Sequence, residues 1–581
     1  MTNTLRRFFN PYVAVALLYL LSILLIQPWG NFPVNDDWDF LVHTINFSKG
    51  DLIKNALIDS TFIFQGFVGV VWGKIFGFSF TSMRTLTMLV SLAALFGIYK
   101  ILCLYQADKL VKFIILGTVA FNPMFFSSSL TYMTENYFLL LMIFSIFYFT
   151  KFLRNKDIVH FLFAVLLAGL SVLVRQFGLV ILFAYLVTTT YLLIKDKSNI
   201  LNKYKIYLVP IIASVLAVSC FTAFNWPQHT LVGQRQSAIE RFEQVLDTKK
   251  VIAETFRLPW VLPYIGFFLS PLTIIYLLKQ KKFVVVGCIL FSLIMFSSIY
   301  YLNIFPLGNT VYVEGFYAKS DYYPDLNLFD NVVFKLLISF YISLSLTTLA
   351  VFLFSFSRSN LLKPLYRSAE AILVVLLLLG TFFSVAIIPE FFDRYFINFF
   401  ILLIIYGGFM ILKSLQISGK FIHATTLLPL IIFSVFLAQD YYAATTEKVR
   451  QADLIKNDRG LKTKVFVNGA YTRWEYVGNK SNFPYVQSPI PPGLKYECFV
   501  ESYSKSDNNH NLLYLLLNRL ANSRKVQNVF PPVKIVDAKS TAGVVRIEQY
   551  KKHIVINKEY PSLIFNLMGK EAYVGSFCLD K

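Results

Sequence analysis

The sequence predicts a polytopic α-helical membrane protein with a smaller polar domain at its C-terminal end. Of the 581 residues, 56% are hydrophobic, 17% are aromatic and only 15% are charged, and the mean hydropathy is +0.58. A soluble chain usually has about a quarter of its residues charged, and it cannot bury this much apolar surface by folding on itself. The composition therefore excludes a soluble enzyme, a collagen-like fibre, a disulfide-rich secreted module and a disordered chain.

Apolar runs of the length that crosses a bilayer follow one another along most of the chain. A transmembrane helix needs about 20 apolar residues, and about 13 such runs are present. They lie near residues 11–28, 85–104, 111–129, 137–153, 158–174, 177–194, 205–225, 260–278, 283–302, 332–356, 370–388, 395–412 and 421–441. The first run follows Arg6 and Arg7 like a signal sequence, but it has no small-x-small cleavage site, so we interpret it as an anchor.

The basic residues orient this bundle. If the N-terminus is cytoplasmic, every inner connection is basic, as the positive-inside rule requires. These connections carry Lys100, Lys109, Lys112, Lys151, Arg154, Lys156, Lys195, Lys197, Lys203, Lys205, Lys279, Lys281, Lys282, Arg358, Lys363, Arg367, Lys413 and Lys420. A low content of Gly and Ala with abundant Phe, Ile, Asn and Lys is typical of an AT-rich bacterial genome. The predicted location is therefore a bacterial inner membrane.

The long connections all fall on the outer side of the membrane in this orientation. They cover residues 29–84, 226–259 and 303–331, and an odd number of spans places the tail outside as well. We therefore divide the chain into a transmembrane region, residues 1–442, and a soluble extracytoplasmic domain, residues 443–581.

Two segments of the outer connections are predicted as surface helices. Residues 62–78 are apolar but short, and counting them as a span would invert every later connection. Residues 234–250 (QRQSAIERFEQVLDTKK) are polar throughout.

The tail has the composition of a small α/β or α+β domain. It contains the strand-like pieces KVFVNGAY, VVRIEQY and HIVINKEY, one helix-like run at 511–525, and turn clusters at 488–493 and 530–532. Cys498 and Cys578 lie in this polar region and could form a disulfide if it is extracytoplasmic.

The net charge of +21 does not indicate nucleic-acid binding. The 54 Lys and Arg residues, against 33 Asp and Glu, are explained by basic inner loops and anionic lipid headgroups. No RNP, zinc-finger or helix-turn-helix signature is present in the sequence, so no nucleic-acid partner is expected.

The acidic cluster NDDWDF follows the first span. Asp36, Asp37 and Asp39 lie within four residues, with Trp38 between them. Carboxylates this close repel, so one takes up a proton or a metal holds them together, and either outcome suits a general base or a cation site. The alternative is a helix start capped by Asn35 or Asp36.

Two more polar sites lie between predicted spans on the same side. Glu135 in TYMTENYF begins a helix, either as part of a site or as a first-turn acid after a Thr134 cap. Arg175 and Gln176 in VRQFG occupy a connection too short to be a solvated loop. Arg175 either snorkels to lipid phosphate or binds a phosphate-bearing substrate.

The fourth site is PEFFDRYF, before the twelfth span. Glu390, Asp393, Arg394 and Tyr395 either serve a site or form an internal Asp–Arg pair with an interfacial Tyr. Together the four sites place acids and arginines from separate segments on one membrane face, as a lipid-borne phosphate substrate would need. The sequence has no P-loop, GxSxG, HExxH or CxxC pattern, and its six His are scattered.

These residues, in this order, resemble the GT-C glycosyltransferases, in particular the branch of the protein O-mannosyltransferases and the lipid A aminoarabinose transferases. Asp36-Asp37 matches the acidic pair of the first outer loop, although Asp-Glu is commoner there. The surface helix with Arg84 after it, MTEN at 133–136, Arg175 and Asp393-Arg394-Tyr395 match further family motifs. Phe64-Gln65-Gly66 stands where many members have a basic residue or a Pro pair. The likeness covers residues 10–200 and 385–415.

The resemblance implies a multispanning GT-C-like enzyme that moves a sugar, hexose or pentose, from a polyprenyl-phosphate carrier on the extracytoplasmic side, with inversion. The acceptor would be a glycan, a lipid or a protein. Asp36 or Asp37 would be the base, with a slight preference for Asp36. The donor phosphate would be bound by Arg175, Arg394 and Arg84, and a divalent cation (Mg, Mn or Zn) would be held by Asp37 and Glu135. Supporting roles would fall to Gln65, Trp38, Asp393 and Tyr395.

Two other functions remain open from the residues alone. A flippase or transporter of a lipid-linked glycan should show two similar halves and midplane charges, and the sequence shows neither. An O-antigen polymerase or ligase, which uses a diphosphate-linked glycan, also carries outer arginines. The acid pair favours the glycosyltransferase.

Overall fold

The protein is a bundle of apolar helices that carries a small sheet in its tail. The computed structural model describes residues 10–51, 60–195, 207–216, 218–219, 261–301, 332–357, 368–386, 393–415 and 421–460, and tail segments at 463–467, 471, 474–475, 497–506, 554–559, 561, 563 and 570–578.

The described residues form the following helices. In chain order they are α1 Pro11–Ile26, α2 Asp37–Ser48, α3 Ile63–Phe76, α4 Phe80–Leu104, α5 Lys109–Ala120, α6 Pro123–Ser129, α7 Glu135–Asn155, α8 Ile158–Val172, α9 Gly178–Lys195, α10 Tyr207–Leu216, α11 Val261–Leu278, α12 Lys282–Tyr301, α13 Val332–Ser357, α14 Ala369–Ala386, α15 Ile397–Leu402, α16 Gly408–Ser414 and α17 Leu428–Arg459. A 3₁₀ turn, Asp393–Phe396, leads into α15, a π-helical turn, Leu403–Gly407, joins α15 to α16, and a 3₁₀ helix, Phe421–Leu427, precedes α17.

Local sequence signals explain where several helices begin. Asn10 precedes α1, and its side chain accepts hydrogen bonds from the backbone N–H groups two and three residues later, with Pro11 at the first helical position. Asn122 and Pro123 repeat this arrangement at α6. A side-chain acceptor followed by Pro satisfies the orphan donors of a helix N-terminus, so these helices begin at the first residue after the Asn.

The membrane-spanning character is confirmed, although the count of spans is smaller than the sequence predicts. Within the described residues, eight helices are long and apolar enough to cross a membrane, and α5 with α6, bent by 65°, makes a ninth if the pair is one span. Four other predicted runs coincide with shorter apolar helices, namely α1, α8, α10 and part of α14. Because α1 has 16 residues and α8 has 15, each rises about 24 Å or less, below the roughly 30 Å of a bilayer core. Thirteen full spans stay a prediction.

Helix α3 has the features expected of a surface helix. Its 14 residues rise about 21 Å, too little to cross a bilayer core. Phe67, Val71 and Ile75 are exposed at intervals of one helical turn, whereas Gly66 and Gly69 on the other side are buried. A Cβ on Gly69 would come within 2.1 Å of the Tyr132 hydroxyl, so this glycine allows α3 to pack closely on the bundle.

Helices α7 and α8 pack against each other as an antiparallel pair. Their two-residue connection returns the chain, so Glu135 at the start of α7 and Arg175 just after α8 lie at the same end of the pair. At the other end, Arg154 forms a bidentate ion pair with Glu370 at 2.7 and 3.0 Å. The 19 residues from Glu135 to Arg154 correspond to roughly 28 Å along α7, so the two ends lie about a bilayer core apart.

The tail sheet packs against the end of α17. The strands β1 Val465–Phe466, β2 Cys498–Ser506, β3 Ile554–Glu559 and β4 Lys570–Cys578 form a four-stranded sheet in the order β1-β2-β4-β3, with β1 and β2 parallel and the other pairs antiparallel. Strands β1 and β3 fall in two of the three predicted strand pieces. Helix α17 has 32 residues and continues through the predicted domain boundary at 442 to contact β1, β2 and β4.

Cys498 is disulfide-bonded, and Cys578 lies directly opposite it in the β2–β4 register, as the pairing considered from the sequence requires. The strand piece VVRIEQY, the helix-like run at 511–525, the surface helix at 234–250 and the loops 226–259 and 303–331 lie outside the described residues. The α/β or α+β tail domain as a whole, its extracytoplasmic location and the cytoplasmic N-terminus therefore stay predictions.

Candidate active site

The acidic cluster lies at the start of α2, and its two adjacent carboxylates face different partners. Asp36 occupies the cap position of α2, but its side chain makes no capping hydrogen bond. It accepts instead a 2.9 Å hydrogen bond from Nη2 of Arg394, on the turn before α15. The capping interpretation of Asp36 is thus not what the structure shows, since its carboxylate contacts a distant segment of the chain.

Asp37 is held inside the protein. Its Oδ1 accepts the Val34 N–H at 2.7 Å, and its Oδ2 accepts from Nη2 of Arg84 at 3.2 Å. Its side chain is 0% exposed, whereas 42% of the Asp36 side chain is exposed. Of the two acids, only Asp36 is therefore open to a substrate.

Burial raises the pKa of Asp37 to about 7, with a small further rise from the Asp36 carboxylate. The guanidinium of Arg84 and the Val34 N–H oppose this shift because they stabilise the charged form. Burial therefore favours the neutral form of the Asp37 carboxyl, whereas Arg84 favours its charged form.

Arg84 organises the loop that leads to the acids. Its guanidinium donates to the carbonyl oxygens of Pro28 (3.4 Å), Gly30 (3.1 Å) and Phe32, in addition to Asp37. The side chain is completely buried. This position does not favour the predicted contact of Arg84 with a donor phosphate, because the side chain is enclosed and its Nη1 and Nη2 groups already serve the loop and Asp37. We interpret it as the residue that fixes Asp37.

Replacing Arg84 with Ala is expected to destabilise the fold by about 3–5 kcal/mol, because it leaves the Asp37 carboxylate buried without its counter-ion. The measurement is the apparent unfolding temperature of the purified protein in detergent. Arg450→Ala is the matched control, since Arg450 pairs with Glu447 (2.6 Å) on the surface of α17, where such pairs contribute about 0–1 kcal/mol. Equal unfolding temperatures for both variants would contradict this role of Arg84.

Four charged side chains from separate segments, Asp36 among them, form one series of contacts. Arg394 contacts Asp36 and also lies 4.0 Å (Nε to Oε1) from Glu135, the first residue of α7. Nη2 of Arg175 lies 3.2 Å from the same Glu135 oxygen. The order Asp36–Arg394–Glu135–Arg175 alternates in sign, and we call it the charge chain. The structure thus brings four of the predicted site residues into one series of contacts, whereas Asp37 faces Arg84.

The aromatic ring of Tyr395 joins the two arginines of the charge chain. Its centroid lies 5.3 Å from the guanidinium carbon of Arg175 and 5.6 Å from that of Arg394. Cations over an aromatic face are attracted by the ring quadrupole, and the effect grows where water is excluded. Tyr395 therefore supports the site by holding both guanidiniums.

The charge chain has unused hydrogen-bonding capacity. Within the described residues, Nη1 of Arg175 and both Glu135 oxygens lack an aligned hydrogen-bond partner, although Arg175 and Glu135 form the ion pair above. The amide of Gln65, completely buried on α3, also lacks one in that part of the chain. Buried polar groups are normally paired, so unpaired ones mark a place where a ligand or water can bind.

Other predicted residues lie away from the charge chain. Asp39 pairs with His43 one turn later on α2 (3.3 Å). Trp38 is buried in the core, so its indole does not face an open site. Asp393 begins the turn that carries Arg394, and Glu390 lies outside the described residues. Thr134 occupies the cap position of α7 but makes no capping hydrogen bond.

The residues expected to bind a divalent cation do not form a ligand set. Asp37 is occupied by Arg84 and the Val34 N–H, and Glu135 faces two arginines. The described residues contain no group of three or more His, Cys, Asp or Glu side chains able to hold a metal ion. The side chains present at these positions therefore fit guanidinium partners better than a metal.

The sequence did not predict several contacts of the two arginines that pair with Asp36 and Asp37. Sδ of Met133 lies 3.8 Å from Nη1 of Arg394. The rings of Phe32, Phe80 and Tyr442 surround the Arg84 guanidinium at 5.1, 5.6 and 5.7 Å. Met133 belongs to the MTEN motif, whereas no local pattern distinguishes these rings in a chain with 59 Phe and 34 Tyr.

Comparisons with known proteins bear on the same region. The family model of the dolichyl-phosphate-mannose-protein mannosyltransferases matches residues 67–223, which include Arg84, Glu135 and Arg175. This match overlaps residues 10–200, over which the sequence resembles the GT-C glycosyltransferases, and it supports that resemblance. No match is found among curated proteins.

Two similar solved structures are of ArnT from Cupriavidus metallidurans. The one bound to undecaprenyl phosphate has 12% identity and a TM-score of 0.35, and the apo one has 13% identity and a TM-score of 0.32. Each alignment covers 80% of this chain and 83% of the other.

Proposed function

We propose that this chain, whose residues 67–223 match a family of dolichyl-phosphate-mannose-dependent transferases, is a membrane glycosyltransferase. It moves a sugar from a polyprenyl-phosphate donor to an extracytoplasmic acceptor with inversion. The observation that carries the proposal is the charge chain, in which one half-exposed carboxylate lies beside two buried guanidiniums at one end of the bundle.

The arginines suit the leaving group. When the bond between the anomeric carbon and the phosphate oxygen breaks, the electron pair stays on the phosphate and its charge grows. Guanidiniums fixed before the reaction stabilise that charge without reorganising, which is the main source of such catalysis. Nη1 of Arg175 lacks a partner within the described residues, and Arg394 lies next to the acid, so the phosphate is expected to contact these two guanidiniums on the side away from Glu135.

Asp36 is placed to act as the general base. An acceptor hydroxyl attacks the anomeric carbon from the face opposite the phosphate, transfers its proton to a carboxylate oxygen and forms the new C–O bond, which inverts the centre. Asp36 is exposed enough to reach the hydroxyl, whereas Asp37 is enclosed. Arg394 orients the Asp36 carboxylate in the resting site through their 2.9 Å hydrogen bond.

Glu135 suits a positioning role. Its carboxylate is the only charge between Arg175 and Arg394 in the described part of the chain, and it offsets the repulsion of the two cations. Since neither Glu135 nor Asp37 fits a metal, no step of the reaction is assigned to a cation.

The test is sugar transfer by purified protein. Radiolabelled polyprenyl monophosphate sugars, hexosyl and pentosyl, are incubated with the protein and with membranes of its source as acceptor, and release of polyprenyl phosphate is followed with the appearance of label in the acceptor. We expect transfer from at least one monophosphate donor, and none by Asp36→Asn. Activity restricted to diphosphate-linked glycans would contradict the proposal in favour of a polymerase or ligase. Movement of the intact donor across the bilayer without sugar transfer would contradict it in favour of a flippase.

A further inference from the structure

A tail residue touches the structure that holds the acidic cluster. Trp474, after strand β1, packs edge-on against Phe80, the first residue of α4, with centroids 4.9 Å apart and an interplanar angle of 74°. Phe80 is completely buried, whereas Trp474 is partly buried. The contact joins residues 394 positions apart and connects the tail to the transmembrane region beside the candidate site.

Phe80 belongs to the support of the acidic loop. Its ring is one of the three around the Arg84 guanidinium, and its backbone N–H donates to the Asn31 side chain at 3.1 Å. The neighbouring Thr81 hydroxyl accepts the Gly30 N–H at 3.1 Å. The start of α4 therefore fixes the loop between α1 and α2 by its backbone and by Arg84.

The tail is itself held on the C-terminal half of α17. Lys456 contacts Glu475 at 2.5 Å and the Tyr471 hydroxyl at 3.0 Å, on either side of Trp474 in sequence. Gln451 donates to the Val574 carbonyl of β4 at 2.7 Å. These bonds, together with the packing of the sheet on α17, hold the part of the tail that carries Trp474, and no single one of them contacts the Trp474 ring.

We propose that Trp474 is a positioning residue of the active site, through which the tail closes the aromatic enclosure of Arg84 and holds the loop that presents Asp36 and Asp37. Trp474 acts through Phe80 and Arg84 and touches no substrate. The tail is then a part of the active site as well as a separate fold. This inference extends the proposed function, because it concerns the geometry of the same acids.

The first readout does not depend on the function. Hydrogen–deuterium exchange is measured on residues 28–40 in wild type, in Trp474→Ala and in Trp474→Phe. We expect faster exchange in Trp474→Ala only, because Phe keeps an aromatic edge against Phe80. Glu475→Gln is the control, since it loosens the adjacent anchor to Lys456 and leaves the Trp474 ring. Unchanged exchange in Trp474→Ala, or the same increase in Glu475→Gln, would overturn the inference.

The second readout is kinetic. Displacing reacting groups by about 1 Å can lower turnover by up to about a hundredfold, so we expect Trp474→Ala to reduce kcat about tenfold or more. The donor KM should stay within about twofold, because Arg175 and Arg394 are not contacted by this support, and Trp474→Phe should recover most of kcat. Wild-type kcat in Trp474→Ala would overturn the inference. If the wild type transfers no sugar, the proposed function fails and the exchange experiment alone decides.

Discussion

Asp36→Asn is expected to abolish sugar transfer in a protein that still folds and inserts. General-base catalysis contributes about 10²–10⁴-fold, and Asn cannot take the acceptor proton. Asp36 is half-exposed and makes its contact with Arg394 through a carboxylate oxygen that Asn retains as an amide oxygen, so the fold should lose little. The measurement is the initial rate of transfer at saturating donor, with the unfolding temperature as the check on folding.

Asp108→Asn is the matched control for this substitution. Asp108 precedes α5, is exposed and makes no capping hydrogen bond, so its loss should leave transfer unchanged. Transfer by Asp36→Asn at the wild-type rate would show that another group is the base. The enclosed Asp37, whose pKa is about 7, would be the next candidate.

Arg394→Gln is expected to lower transfer about 10²–10³-fold, because a preorganised donor to developing charge is lost. Arg394 also orients Asp36 at 2.9 Å and lies 4.0 Å from Glu135, so its removal disturbs the charge chain at both of these carboxylates. Residues in direct contact are not independent, and the double variant with Asp36→Asn should therefore lose less than the product of the two single effects. The measurement is the transfer rate of the four proteins of this cycle.

Arg154→Gln controls for the loss of an arginine–glutamate pair at the other end of α7. Arg154 forms a bidentate pair with Glu370 at the far end of α7, and its replacement should affect transfer only slightly. If Arg154→Gln and Arg394→Gln reduce transfer equally, the effect of Arg394 is on the bundle and not on the charge chain.

The sequence predicted which residues of the charge chain share one membrane face, but it did not predict the direction of neighbouring side chains such as Arg84. Asp36, Glu135, Arg175 and Arg394 could be brought to one face because span direction alternates, and each residue lies next to a span end. Their roles in transfer stay predictions. The direction of Arg84 could not be foreseen, since a residue on α4 faces the loop or the site according to how the helix is rotated in the bundle.

The metal prediction shows a second limit of the sequence. Adjacent carboxylates suggested a shared cation, but Asp37 and Glu135 each gained guanidinium partners from other segments. Strands β2 and β4 were not predicted either, and they pair across residues 498–506 and 570–578. The Trp474–Phe80 contact was likewise not predicted, because nothing local to either residue indicates its partner.

The most direct test of the account is the affinity of the purified protein for a polyprenyl monophosphate without sugar. A charge-assisted hydrogen bond contributes about 1.5–3 kcal/mol, so Arg175→Gln should bind this lipid about tenfold or more weakly than wild type, and Arg154→Gln should bind it like wild type. Equal affinities for wild type and Arg175→Gln would contradict the claim that the charge chain binds the phosphate of a lipid-borne sugar.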